Sequence, residues 1–223
     1  MAAKFAQLFA DSRRALFTML GVQAVIWSVQ VANWLGDYGL SREFGLRSEQ
    51  VGDLPEMFTS PFLHFSWSHI EANSWPLFVL GFLSAYRGMR KFLLASLVIA
   101  VSGGLLVWLL ESPNTVTAGA SGMVYGYLGY VVLRGVLDRN VLDAVVGIVV
   151  AVVYSTILIG VLPVTPGVSW LGHLGGLIGG LAAAFLLRDQ PASKRATQSA
   201  AKQANTPDSP GTALLKQLDE LGL

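Results

Sequence analysis

The sequence predicts an all-α membrane protein: six transmembrane helices in a compact bundle, with both termini cytoplasmic. Three observations carry this expectation. Of 223 residues, 53% are hydrophobic and only 13% charged, with a mean hydropathy of +0.55, whereas soluble domains carry roughly 25% charged residues. The apolar residues gather into six segments, each near the roughly 20 residues that cross a bilayer core. The basic residues fall beside those segments in the asymmetric pattern that the positive-inside rule requires.

In chain order, residues 1–14 read as a cytoplasmic segment and 15–35 as the first span. No signal-peptide cleavage pattern is visible, so this segment is expected to remain as a true span. The other spans read as 65–86, 92–110, 121–137, 141–162 and 169–187. Their apolar runs lack strand-like alternation, which favours helices over a barrel. With the N-terminus inside, the inner face receives Lys4, Arg13, Arg14, Arg87, Arg90, Lys91, Arg134 and Arg139, and the tail adds Arg188, Lys194, Arg195, Lys202 and Lys216. The outer face receives only Arg42 and Arg47. Residues 36–60 form the longest connection and read either as an amphipathic element in the outer interface or as a solvated loop. The membrane domain thus covers 15–188. Residues 189–223, rich in Ser, Ala, Gln, Lys, Thr and Pro, read as a disordered cytoplasmic tail. Leucines at 214, 215, 218 and 221 allow a short amphipathic helix between Thr212 and Leu223, or simply a frayed end.

Composition also excludes. The chain has no cysteine, so disulfides, thiolate nucleophiles and Cys-based metal sites drop out. No basic run suggests a nucleic-acid groove. No His-Glu-x-x-His pattern exists, and neither a metal nor another cofactor is expected. Midplane polar residues also mark transport sites, but no inverted repeat is visible.

The chemistry-bearing residues are few. The chain holds three histidines, His64, His69 and His173, all in or at the edge of apolar segments. Intramembrane ionisable groups are usually functional. Ser121 sits in the frame Gly119-Ala120-Ser121-Gly122 at the start of the fourth span, and a serine with a histidine suffices for a nucleophile and its base. Only 13 residues separate Ser121 from Arg134, counting Ser121. At 1.5 Å each they span roughly 20 Å, less than a hydrocarbon core of about 30 Å. Ser121 is therefore expected below the outer surface, with Glu111 to Gly119 dipping inward around a water-filled cavity. A serine at a helix start also places developing negative charge near free N–H groups.

His69 and Asn73 are four apart and share a helix face. They suit oxyanion donors, although the spacing equally allows interhelical hydrogen bonding. Gly122 with Gly126, and Gly172 with Gly176 and Gly180, form small-residue edges that let the fourth and sixth spans pack closely. That packing would bring His173 to Ser121. Tyr125, one turn from Ser121, reads as a core aromatic or as a stacking partner for His173. Glu71 lies between His69 and Asn73 but off their shared face, which leaves it a gate, cavity or interhelical role. No aspartate stands out as a third member, so a dyad is the simpler expectation.

Taken together, these elements resemble the rhomboid family of intramembrane serine proteases over residues 15–187. The resemblance rests on His64-x4-His69-x3-Asn73, on Gly119-x-Ser121-Gly122, and on His173 with glycines three and seven residues later. It implies Ser121 as nucleophile and His173 as general base. It implies His69 and Asn73, with the Ser121 backbone N–H, as the oxyanion site. Tyr125 matches the family's stacking tyrosine, Gly119 and Gly122 its motif glycines, and His64 an architectural histidine. The implied substrates are single-span membrane proteins cut near the outer end of a helix that unwinds easily. The fifth span and the Pro163–Gly167 loop would form the gate and cap. One departure concerns the Trp-Arg pair often found before the histidine motif, which here reads Pro55-Glu56. A non-catalytic rhomboid-like protein that only binds membrane clients is the alternative.

Overall fold

The computed structural model describes residues 2–113, 115–138, 141–188 and 218–219. Contacts divide the chain into Met1–Arg188 and Asp189–Leu223. The expectations for the tail fall outside the described residues, save Leu218 and Asp219, which are helical and exposed.

Among its described residues the first unit has seven α-helices: α1 (Ala2–Leu35), α2 (Gly39–Phe44), α3 (Trp67–Tyr86), α4 (Met89–Leu110), α5 (Ser121–Leu137), α6 (Val141–Val153) and α7 (Trp170–Leu186). The 1–14 segment and the first apolar segment are one continuous helix. No proline interrupts residues 2–35, and Gly21 is their only glycine, so nothing in the composition stops propagation. By length and hydropathy, α4 and the Phe5–Leu35 part of α1 can cross a bilayer, and α6 with the following 3₁₀ turn adds a third, bent candidate. The others miss that test for physical reasons. α3 carries His69, Glu71, Asn73 and Ser74, whereas α5 and α7 are 17 residues each, about 26 Å long. Many large side chains point outward, among them Phe9, Phe17, Leu35, Val141, Ile148 and Val152. That is the surface expected of a bundle whose solvent is lipid.

α5 is the central helix. It packs on α7, α6, α3 and α4, while α1 leans on α3. The α5–α7 approach is set by glycine. A Cβ on Gly176 or Gly180 would run into the backbone carbonyls of Gly122 and Gly126 respectively. A second glycine face of α7 was not anticipated: Gly175 and Gly179 lie against Gly103, Ser102 and Ile99 of α4. α7 is therefore held backbone to backbone on two sides.

The bundle has two chemically distinct ends. At one end, Arg87 pairs with Asp138 at 2.6 Å and with Asp143 at 3.1 Å, and Arg134 pairs with Asp138 at 2.8 Å. Arg134 also donates to the Leu187 carbonyl at 2.6 Å. Arg134 is only 1% exposed, so at this end of the bundle its guanidinium is enclosed by protein. Buried charge requires a partner, and these carboxylates supply it, which lets α5 run on to Leu137.

The other end is covered by the long first connection, which is structured. Residues 46–47 (β1) pair antiparallel with 116–117 (β2), in the register Leu46 to Thr117 and Arg47 to Val116. 3₁₀ turns follow at Val51–Met57 and Ser60–Phe62. Leu46 and Met57 are buried with Val107 and Leu171 in a small apolar cluster, so the connection is packed on the bundle rather than wholly solvated. Glu111 to Gly119 is not irregular throughout, because its strand satisfies part of its backbone.

Candidate active site

The geometry around Ser121 is set by a chain of hydrogen bonds that begins in α1. Asn33 is fully buried; its amide donates to the Ser41 hydroxyl at 2.7 Å and to the His64 carbonyl at 2.9 Å. His64, also fully buried, accepts the Ala120 N–H on Nε2 at 3.3 Å. The Ser60 carbonyl accepts the Gly119 N–H at 2.9 Å. The last residues before α5 are thus pinned by the histidine motif region. Gly119 has φ +139°, and a Cβ there would lie 2.7 Å from His69 Cε1. Only glycine satisfies both the backbone angle and the close approach of the imidazole.

Ser121 opens α5, and the first intrahelical bond is Val124 N–H to the Ala120 carbonyl. The N–H groups of Ser121, Gly122 and Met123 precede that bond and have no intrahelical acceptor. Ser169 caps α7: its hydroxyl oxygen accepts the Gly172 N–H at 3.2 Å. One residue on, His173 is 7% exposed, with Nε2 2.8 Å from Ser121 Oγ. Its Nδ1 lies 2.8 Å from the Gly160 carbonyl oxygen. A carbonyl can only accept, so Nδ1 carries the proton and Nε2 offers its lone pair to the serine hydroxyl. The Tyr125 ring stacks on the imidazole, with centroids 4.2 Å apart and planes 14° from parallel. The Tyr125 hydroxyl donates to the Ile157 carbonyl.

Both acceptor carbonyls come from the 3₁₀ turn Ser155–Val161, which follows α6 after a 64° bend. Sequence reading missed this turn because residues 141–162 form one apolar run with no breaker near the bend. A backbone carbonyl also leaves no residue-type signal. Ile157 and Gly160 are the partners that reading overlooked.

A cavity of about 670 Å³ opens beside Ser121 and His173, lined also by His69, Gly119, Glu111 and Ser169. It brings together five of the site residues singled out from sequence: Ser121, His173, His69, Gly119 and Gly122. Asn73 is buried and turns its amide onto the His69 carbonyl of its own helix at 3.1 Å; it is not among the cavity-lining residues. Glu71 is exposed. His64 and His69 meet edge to face with centroids 5.0 Å apart. Among the described residues, no His, Asp or Glu grouping fits a metal ion.

The arrangement joins a hydroxyl, a correctly tautomeric imidazole and helix-start N–H groups without an intrahelical acceptor at a recessed cavity. Comparison with known proteins agrees in kind. The Rhomboid domain family matches residues 51–190. An uncharacterised protein of Mycobacterium bovis is 35% identical over 198 residues, covering 85% of this chain and 82% of its own. The rhomboid protease GlpG of Salmonella choleraesuis is 33% identical over 138 residues, covering 58% and 47%. The rhomboid protease GluP of Bacillus subtilis is 29% identical over 148 residues, covering 65% and 29%. With more than half its length matched by the family and its helices arranged around this serine and histidine, the chain is an integral membrane protein that belongs to the rhomboid family.

Proposed function

We propose that the protein is an intramembrane serine endopeptidase that cleaves transmembrane segments of membrane-protein substrates with a Ser121–His173 dyad. The observation that carries this reading is the relay from the Gly160 carbonyl through His173 to Ser121 Oγ, with 2.8 Å at each step, inside a 670 Å³ cavity. Hydrogen-bond reach between nucleophile and base, with the base oriented by a third group, is the arrangement that acyl transfer needs.

In the proposed reaction a substrate helix enters sideways from lipid and its unwound segment reaches the cavity. His173 Nε2 takes the Ser121 proton as Oγ attacks the scissile carbonyl. Positive charge then develops on the imidazole, and the Gly160 carbonyl dipole at Nδ1 stabilises it. The oxyanion faces the N–H groups of Ser121 and its neighbours, and the His69 side chain. Asn73 acts from behind, through the His69 backbone, unless its amide rotates. His173 next protonates the leaving amine, the C–N bond breaks, and water from the cavity hydrolyses the acyl-enzyme with His173 again as base. By resemblance to the family, a small residue before the cut is expected. His64 holds the Ala120 N–H and Tyr125 holds the imidazole plane.

The same reading has six spans in a bacterial plasma membrane, both termini cytoplasmic and the cavity opening to the outer face. It is supported by the charge pattern and by the two unlike ends of the bundle.

Purified protein in liposomes, given a single-span reporter substrate, tests the proposal. Ser121→Ala is expected to abolish cleavage and labelling by a fluorophosphonate. Full cleavage by that variant would remove Ser121 as nucleophile. Substrate binding without cleavage by the unmodified protein would instead support a client binder.

A further inference from the structure

The cavity is electrostatically one-sided. Among the described residues that line it, Glu111 alone carries a carboxylate, and none is Lys or Arg. Glu111 ends α4, and one carboxylate oxygen accepts the Ser169 hydroxyl at 2.8 Å. The other oxygen accepts the Ser112 N–H at 3.4 Å; a carboxylate has about four acceptor positions, so Glu111 retains capacity for a further donor from within the cavity.

The surroundings reinforce this sign. No Lys or Arg occurs between Arg47 and Arg87, between Lys91 and Arg134, or between Arg139 and Arg188. The segments that cover the cavity end, 36–71 and 111–120, carry Asp37, Glu43, Glu49, Asp53, Glu56, Glu71 and Glu111 against Arg42 and Arg47. Both arginines are already committed: Arg47 lies 3.0 Å from Asp53 and Arg42 lies 3.5 Å from Asp37. At the opposite end of the bundle Arg87, Arg134, Asp138 and Asp143 form mutual pairs. Field lines from the uncompensated carboxylates focus in a cleft with low-dielectric walls.

We infer that Glu111 is a specificity-determining residue and that the cavity selects membrane-protein segments with a Lys or Arg on the flank entering it. The inference rests on the proposed proteolysis for its consequence, but it is a statement about recognition and is read separately. A basic flank would gain charge-assisted hydrogen bonds to Glu111 beside its bond to Ser169. An acidic flank would meet repulsion from Glu111 and the covering segments.

The experiment uses the full chain in neutral-lipid nanodiscs and three single-span peptides differing only by Lys, Gln or Glu at one flanking position. Binding is measured on Ser121→Ala, so that no turnover is needed, and cleavage is measured on the unmodified protein. The expected order is Lys, then Gln, then Glu, with about tenfold between the extremes at low salt, narrowing as salt rises. Adding Glu111→Gln keeps an acceptor for Ser169 and removes only charge; it should shrink the Lys-to-Glu ratio at least about threefold. Because the readout is a ratio, partial loss of folded protein does not alter it. Equal binding of all three peptides, or a ratio unchanged by Glu111→Gln, overturns the inference even if cleavage is robust. A charge-ordered binding series with no cleavage sustains it and overturns the proteolytic reading instead.

Discussion

Gly160 contributes no side chain, yet its carbonyl oxygen stands where a third side chain would stand in a triad, 2.8 Å from His173 Nδ1. It fixes the tautomer without adding a buried charge, which would carry a large desolvation cost in a bilayer. The absence of a Cβ is also required, since one would collide with the Tyr125 hydroxyl and lie 3.1 Å from His173 Nδ1. Gly160→Val is therefore expected to shift the turn and weaken the relay. The rate of Ser121 labelling by a fluorophosphonate should fall by about tenfold or more, while substrate binding by the same protein persists. Tyr125→Phe keeps the stack and loses only the hydrogen bond to Ile157. It should cost about 1 kcal/mol of stability, visible in the detergent melting midpoint, and far less activity than Gly160→Val. Ser121, His173 and Tyr125 could be picked out from sequence because their side-chain chemistry and helical spacing are written in residue type. Gly160 and Ile157 could not, since what they contribute is main-chain oxygen.

At the scale of elements, α7 is the piece that matters most. Its two glycine faces seat it against α5 and α4 with almost no side chain between. Gly176→Val would drive methyl groups into the Gly122 backbone. Overpacking of this kind costs typically 1–3 kcal/mol, and here the displaced neighbour is rigid helix. The expected outcome is a lowered melting midpoint together with loss of the Ser121–His173 contact, checked by slowed labelling in the fraction that remains folded. One glycine edge was legible as a four-residue repeat. The second, Gly175 with Gly179, was embedded in the same run and had no separate partner visible in sequence until Gly103 was brought beside it. The covering elements β1 and β2 are two residues each, too short to leave a periodic trace.

For the whole molecule, the buried charge network at one end bears on stability. Arg134→Met removes a fully buried cation and leaves Asp138 with Arg87 alone. Breaking a buried pair from one side typically costs 3–5 kcal/mol, so this variant should lose a large share of its folded population, read as detergent-resistant fluorescence or protease resistance. Asp138→Asn combined with Arg134→Met should recover part of that loss, because no carboxylate then lacks its second partner. Overall helical class and the gathering of Ser121 with His173 were readable because hydropathy and small-residue spacing are properties of composition. Span ends were less so. Arg134 reads by charge as a residue near a span end, and only the positions of Asp138 and the Leu187 carbonyl reveal that its side chain is enclosed by protein.

The main-chain seating of α7 has a consequence for how such a protein can diverge. The separation between Ser121 and His173 is governed by helix backbones in contact, so it does not depend on the identity of lipid-facing side chains on α1, α4 or α6. Those surfaces are free to adapt to bilayers of different thickness and composition while Ser121 and His173 keep their spacing. Sequence drift should accordingly be steep on the rim of the bundle and shallow along one seam, and a chimera that exchanges only the outward faces should retain its chemistry.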